Sequence, residues 1–222
     1  MKKIISGLII SAALLTGCAS VNKVTEEKHS GFLSDYSIMK PTQEDPDRLG
    51  YLDSDVNWQQ YHSIMVDKVI VITPDGEQQT DAVILVAIAD KYEEILKQQL
   101  STEFNIVENA GAGTIRFQAA ITSVFTSYDD MKGYQYIPIA AAFTGAKRAS
   151  GSEQQRIRVT TEVKLLDSVD GQLLGQSIDL KSGDNKQDKD SGILLADVVP
   201  ILERWAQSAT DVLVRMRDKF KN

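Results

Sequence analysis

Cysteine, histidine, basic charge and long apolar runs are all scarce in this 222-residue chain, and each scarcity removes a class of function. The only cysteine is Cys18, so no pair of thiols exists to close a disulfide, and the body must be held by its apolar core. His29 and His62 are the only histidines and neither has a second ligand nearby, so no spacing suits zinc and no metal is expected. No Gly-x-Ser-x-Gly elbow, phosphate-binding loop or dinucleotide fingerprint occurs; nucleophilic catalysis has no visible residue and no cofactor is expected. The 31 acidic residues outnumber the 24 basic ones, which argues against nucleic acid and against general attraction to anionic lipid. The apolar run Ile4 to Leu15 is too short for a permanent spanning helix, which needs about 20 residues.

What that short run does have is a charged start and a small-residue end. Met1-Lys2-Lys3 forms a positive n-region, Ile4 to Leu15 the h-region, and Leu15-Thr16-Gly17-Cys18 an aliphatic-small-small approach to a cysteine. The pattern resembles the lipobox of bacterial lipoproteins. The resemblance implies that residues 1–17 are a signal peptide, that Cys18 is acylated and becomes the first mature residue, and that the membrane partner is reached through lipid. Two or three acyl chains hold a protein on a bilayer far more firmly than one. In Gram-negative sorting, Asp after the cysteine favours inner-membrane retention; here Ala19-Ser20 follows, which points to the outer membrane, with the periplasmic side favoured.

Residues 18–30 are polar and aperiodic and are expected to form a tether spanning on the order of 20 Å. Residues 31–222 read as a single α+β domain, and 42% apolar residues can supply its core. Between Gly31 and Trp58 lie Phe32, Leu33, Tyr36, Ile38, Leu49, Tyr51 and Trp58, too many anchors for a disordered tail. An extended arm across the domain is expected there, with a strand pair as the alternative.

Ser63 to Ile72 is a β-branched run that reads as a strand buried on both faces. Thr80 or Asp81 offers an N-cap for a helix to about Phe104, with Ile84, Leu85, Ile88, Tyr92, Ile95, Leu96 and Leu100 on one arc. Thr114 to Ser127 reads as a strand with Phe117, Ala119, Ile121, Ser123 and Phe125 on one face. Arg156 to Leu166 alternates more cleanly, so that the face carrying Arg156, Arg158, Thr160, Glu162 and Lys164 is expected to be wet. Asp167 to Gly171 supplies a hairpin turn into Gln172 to Leu180, and Gly183 to Asp190 reads as a surface loop. A final helix is expected from Ile193 to Phe220, with Leu195, Val199, Leu202, Trp205, Ala206, Ala209, Val212, Leu213 and Met216 in its apolar stripe and Pro200 on the polar side. The fold class is therefore α+β: a mainly antiparallel sheet with two long helices packed on one face.

Gly31-Phe32-Leu33 with Asp35-Tyr36-Ser37, the Tyr61 to Ile72 strand, the Asp167 to Gly171 turn and Glu203-Arg204-Trp205-Ala206 together resemble an uncharacterised lipoprotein family of Gram-negative bacteria. The resemblance covers nearly the whole mature chain and rests on turns and packing residues, so it implies no chemistry. At fold level the element order is also similar to the α+β domain of outer-membrane assembly lipoproteins such as the curli secretion channel subunit.

Paired carboxylates occur at Asp53 with Asp55, at Asp129 with Asp130 and within Asp184 to Asp190. Such pairs serve glycoside hydrolysis when they flank a cleft, but acidic proteins also carry them in loops. Tyr134 to Phe143 is the one apolar run that core packing does not explain; Ile137, Ile139 and Phe143 are its candidates for capturing a partner, either an envelope protein or a second copy. The reading that results is a non-enzymatic, lipid-anchored binding or assembly module of the outer membrane. An envelope glycan hydrolase using paired carboxylates and an oligomeric secretion-channel subunit are the alternatives.

Overall fold

The computed structural model describes residues 29–45, 48–72, 80–127, 155–187 and 192–219. Its elements are β1 (Lys40–Pro41), β2 (Arg48–Leu52), a 3-10 turn (Trp58–Gln60), β3 (Ser63–Val66), β4 (Ile70–Val71), α1 (Ala82–Leu100), β5 (Asn105–Ile106), β6 (Thr114–Ser127), β7 (Gln155–Asp167), β8 (Leu173–Gln187) and α2 (Leu195–Asp218). The strands form one eight-stranded sheet in the order β1-β2-β8-β7-β6-β3-β5, with β4 also paired to β6. The two helices lie side by side on one face, joined by Gln99 Nε2 to Gln207 Oε1 at 2.9 Å and by Arg217 to Glu103 at 3.0 Å.

The fold is α+β, but its sheet is mixed. The long strands β6, β7 and β8 are antiparallel, whereas β3 runs parallel to both β5 and β6, and β4 runs parallel to β6. A helix follows β3 and β4, and a helical crossover returns the chain parallel to where it left. The run Ser63 to Ile72 is not one strand buried on both faces. It breaks after Val66, where Asp67 turns to Arg116 at 2.7 Å, and Ile70 is exposed.

Helix α1 begins where its cap dictates: the Asp81 carboxylate accepts from the Val83 N–H at 2.7 Å, and Thr80 Oγ1 donates to the Val124 carbonyl at 3.0 Å. Its buried face is Leu85, Ile88, Ala89, Tyr92, Ile95, Leu96 and Leu100. Helix α2 starts with the Asp197 carboxylate accepting from the Leu194 N–H at 3.0 Å and runs continuously past the exposed Pro200. Its deepest residues, Val198, Ile201, Leu202, Trp205, Ala206, Thr210 and Leu213, lie slightly round from the expected stripe.

Strand β6 carries a bulge at Thr122, which is fully buried: Ile121 faces Thr161 while Ser123 already faces Thr160. One extra residue reverses the alternation beyond it. Val124 therefore joins the helix-side core, and Ser123 lies on the other face with its hydroxyl donating to Thr160 Oγ1 at 2.6 Å. Strand β8 also differs from expectation, because it continues to Gln187 through part of the stretch read as a loop.

The face of β7 expected to be wet is buried at Arg158, Thr160 and Glu162. Residues 29–39 cover Glu162. Leu33 and Met39 pack with Ile178, flanked by Phe32, Tyr36, Ile38, Leu49 and Tyr51. Tyr36 OH and Ser30 Oγ donate to Glu162 Oε2 at 2.6 and 2.7 Å, and Lys164 Nζ sits 4.5 Å over the Phe32 ring. Burial pushes the Glu162 carboxyl above its usual range, against the two hydroxyl donors that favour the charged form. Further along the same segment, β1 and β2 form a strand pair, and β2 extends the sheet beside β8.

Candidate functional site

The addition of β2 makes the sheet wider than its helical cover, and space opens under the outer half of α2. Three small residues keep it open: Gly50 on β2, Ser177 opposite it on β8, and Ala209 on α2. The resulting cavity holds about 290 Å³. Its walls are mostly apolar, with Phe117, Val163 and Leu165 from the sheet and Val212, Leu213 and Met216 from α2. Val212 and Met216 are only half-buried because they face this space rather than solid core.

The other end is polar. Asp179 on β8 is 2% exposed and sits beside Arg48, its cross-strand neighbour on β2. Asp179 Oδ2 accepts from Trp205 Nε1 at 2.9 Å and from Lys181 Nζ at 3.0 Å, and lies 3.9 Å from Arg48 Nε. Lys181 is shared with Asp45 at 2.8 Å. Burial pushes the Asp179 carboxyl up, opposed by the attraction of Lys181 and Arg48. Tyr92 and Thr161 complete this end, and burial also drives the Tyr92 phenol well above its ordinary range.

Two atoms at the polar end have no hydrogen-bond partner among the described residues: the acceptor Asp179 Oδ1 and the donor Arg48 Nε. At the rim, Glu44 Oε1 pairs with Arg215 Nη1 at 2.9 Å, linking the turn before β2 to α2. Both side chains are about half exposed, so the pair contributes at most about 1 kcal/mol and can open.

Of the residues singled out in the sequence, Cys18, Ile137, Ile139 and Phe143 lie outside the described residues, as do Asp129 and Asp130. Asp53 and Asp55 build a turn, with Asp53 Oδ1 accepting from the Asp55 N–H at 2.9 Å and the Asp53 carbonyl accepting from Trp58 Nε1 at 3.1 Å. Neither lines the cavity. The buried carboxylates are instead Glu162 and Asp179, which lie on opposite faces of the sheet. Among the described residues no group of three or more histidine, cysteine or acidic side chains is arranged to hold a metal ion, and no helix is long and apolar enough to cross a membrane.

Asp179 and Arg48 escape sequence reasoning because alternation in β8 points the wrong way. Ile178 and Leu180 suggest that their face is the core, yet Ser177, Asp179 and Lys181 face the helices. Trp205 carried a usable signal, since a buried indole N–H needs an acceptor.

Comparison with known proteins finds an uncharacterised lipoprotein among the relatives of this chain. It is 25% identical over 200 residues to the uncharacterised lipoprotein YdcL of Escherichia coli K12, covering 88% of this chain and 89% of that protein. Solved structures similar in shape include the PelC dodecamer from Paraburkholderia phytofirmans (12% identity, 71% of this chain and 96% of that one, TM-score 0.37). The protein XCC0632 from Xanthomonas campestris (11% identity, 77% and 94%, TM-score 0.45) and the lipoprotein GNA1162 from Neisseria meningitidis (12% identity, 69% and 98%, TM-score 0.34) are others. That relative is named a lipoprotein, and this chain carries Leu15-Thr16-Gly17-Cys18 near its start. The family model of DUF3313, described as a protein of unknown function, matches residues 28–209, and the chain belongs to that family.

Proposed function

We propose that this lipoprotein is a non-catalytic binding module held on the periplasmic side of the outer membrane through Cys18, and that it takes a small, largely apolar ligand into the cavity under α2. The observation that carries the reading is the cavity itself: about 290 Å³, walled by Phe117, Leu165, Leu213 and Met216, with a few polar groups gathered at one end. That combination of apolar walls and convergent polar groups is the usual form of a small-molecule site. The separation of Glu162 from Asp179 by the thickness of the sheet favours binding over hydrolysis, because acid and base must share a cleft.

The test has two arms. Replacing Cys18 with Ser should remove the protein from the outer-membrane fraction; unchanged fractionation would refute the anchor. An uncharged apolar dye should bind saturably beside Trp205 with energy transfer from its indole. Ala209→Phe, which fills the cavity, should abolish the transfer while leaving the thermal midpoint unchanged or raised. Equal dye binding by wild type and Ala209→Phe would sink the cavity as the site.

A further inference from the structure

We propose that residues 29–39 are a proton-linked latch: docked over Glu162 they hold the folded body close to its lipid anchor, and released they lengthen the tether. The tether role rests on the anchor at Cys18, whereas the latch rests on the fold alone. Among the described residues, no backbone–backbone hydrogen bond joins residues 30–38 to the sheet; the Met39 N–H donates to the Tyr36 carbonyl at 3.5 Å, within the segment itself. Side chains do the holding. Ser30 and Tyr36 donate to Glu162 Oε2, Gln176 Nε2 donates to the Asp35 carbonyl, Lys164 caps the Phe32 ring, and Leu33 and Met39 pack on Ile178. A segment without a backbone ladder opens at a free energy well below that of the whole fold. The residues that follow are held differently: the Thr42 N–H donates to the Arg48 carbonyl at 2.9 Å and β1 pairs with β2, so release stops at Met39. The chain from Cys18 to Ser30 reaches at most about 40 Å, and that from Cys18 to Met39 about 70 Å.

Release changes the surroundings of one titratable group. Docked, Glu162 is fully buried, its Oε1 has no hydrogen-bond partner among the described residues, and burial holds its carboxyl above the ordinary range. Released, that face of the sheet meets water and the carboxyl returns toward its ordinary range. From the latch, Glu162 faces the Tyr36 phenol and His29, which stacks on Tyr36 at 3.8 Å, while the Asp35 carboxylate turns away to Ser37. From β7 it shares its face with Arg158 and Lys164, and the neighbouring strands place uncharged Ala120 and Ile178 directly beside it. The nearby positive charges favour the carboxylate, yet burial prevails. Docking therefore takes up a proton. The latch has its full strength below the ordinary carboxylate range and weakens as pH rises through the docked-state value.

The experiment uses the lipidated full chain in phosphatidylcholine vesicles. Amide hydrogen exchange, read as protection factors so that the intrinsic pH dependence cancels, follows residues 30–39 and α1 across a pH series that spans the Glu162 titration. Protection of residues 30–39 should lie below that of α1 at every pH and fall by up to about tenfold per pH unit through the titration, the limit for one proton. Glu162→Gln, which keeps the shape and cannot ionise, should flatten that fall. If Glu162→Gln does not fold, Tyr36→Phe, which loses a bond favouring the carboxylate, should enlarge it. Protection that is flat with pH in wild type, that falls equally in Glu162→Gln, or that equals the protection of α1 throughout would overturn the latch. Energy transfer from Trp58 and Trp205 to a dansyl lipid in the bilayer reads the reach in the same samples. It should fall with pH in wild type and stay level in Glu162→Gln. Falling protection with constant transfer would overturn the tether role and leave the latch. No transfer at any pH would instead refute the anchor, a failure that the exchange measurement does not share.

Discussion

Replacing Tyr36 with Phe removes the hydroxyl that donates to Glu162, accepts from the Leu33 N–H and bonds the Ser30 hydroxyl, and the structure predicts how the cost depends on pH. Tyr36 OH donates to the fully buried Glu162 at 2.6 Å, and only Ser30, at 2.7 Å, remains to serve the same oxygen. A hydrogen bond to a charged group contributes about 1.5–3 kcal/mol, against about 0.5–1.5 for a neutral pair. Above its titration range Glu162 is charged, so Tyr36→Phe should cost about 2 kcal/mol and lower Tm by about 4–8 °C for a chain of this size. Below that range Glu162 is protonated and the cost should fall to about 1 kcal/mol. The direction follows from linkage. Burial raises the folded-state pKa of Glu162 above its unfolded value, so stability is lost as pH rises through the folded one; the Tyr36 hydrogen bond lowers that pKa, so removing it raises the pKa further and enlarges the loss at high pH. Burial likewise raises Tyr36, so the phenol stays protonated throughout. Urea unfolding of wild type, Tyr36→Phe, Glu162→Gln and the double variant across a pH series that spans the Glu162 titration measures the coupling. In the Glu162→Gln background the cost of Tyr36→Phe should lose its pH dependence. A cost below about 0.5 kcal/mol at the high-pH end, or one that is flat across the series in wild type, would refute the buried-carboxylate account of how residues 29–39 are held.

Three other outcomes follow from single contacts. Gly113 has φ +69°, and a Cβ there would lie 2.6 Å from the Gln60 carbonyl oxygen; Gly113→Ala should destabilise by about 1–3 kcal/mol in urea, and a neutral result would contradict the local geometry. Trp205→Phe removes the indole donor to Asp179; it should cost about 1.5–3 kcal/mol plus a packing loss, and full retention of Tm would show that the bond contributes nothing. Asp179, like Glu162, has its pKa raised by burial, so Asp179→Asn should remove part of the stability lost on raising pH through its folded value, visible as a flatter Tm–pH profile.

The elements with strong local signals were legible in the sequence. The α1 arc from Leu85 to Leu100, the Asp81 cap and the turn at Gly171, with φ +76°, follow from periodicity, capping and backbone preference alone. The sheet's mixed character was not legible, because strand direction depends on which partners β3 and β4 choose, and both choose β6. Nor was the bulge at Thr122: an unbroken alternation assigns Ser123 and Phe125 to the face that Val124 occupies. The β1–β2 pair was legible only as an alternative to an extended arm, because Pro41 and Gly50 interrupt the strand pattern. The site was the least readable part. Its polar end depends on Asp179 facing α2 while apolar Ile178 and Leu180 are buried on the opposite face of the sheet, so the apolar phase of β8 marks the smaller cluster under residues 29–39 and not the helix-side core. The cavity itself arises from small side chains at Gly50, Ser177 and Ala209, distant in sequence and brought together only by the tertiary fold.

The most direct measurement is a crystal structure of the protein soaked with octan-1-ol. The account predicts the alkyl chain inside the cavity, against Leu165, Leu213 and Met216. A cavity containing only water, or closed by its own side chains while the alcohol binds elsewhere or not at all, would contradict it.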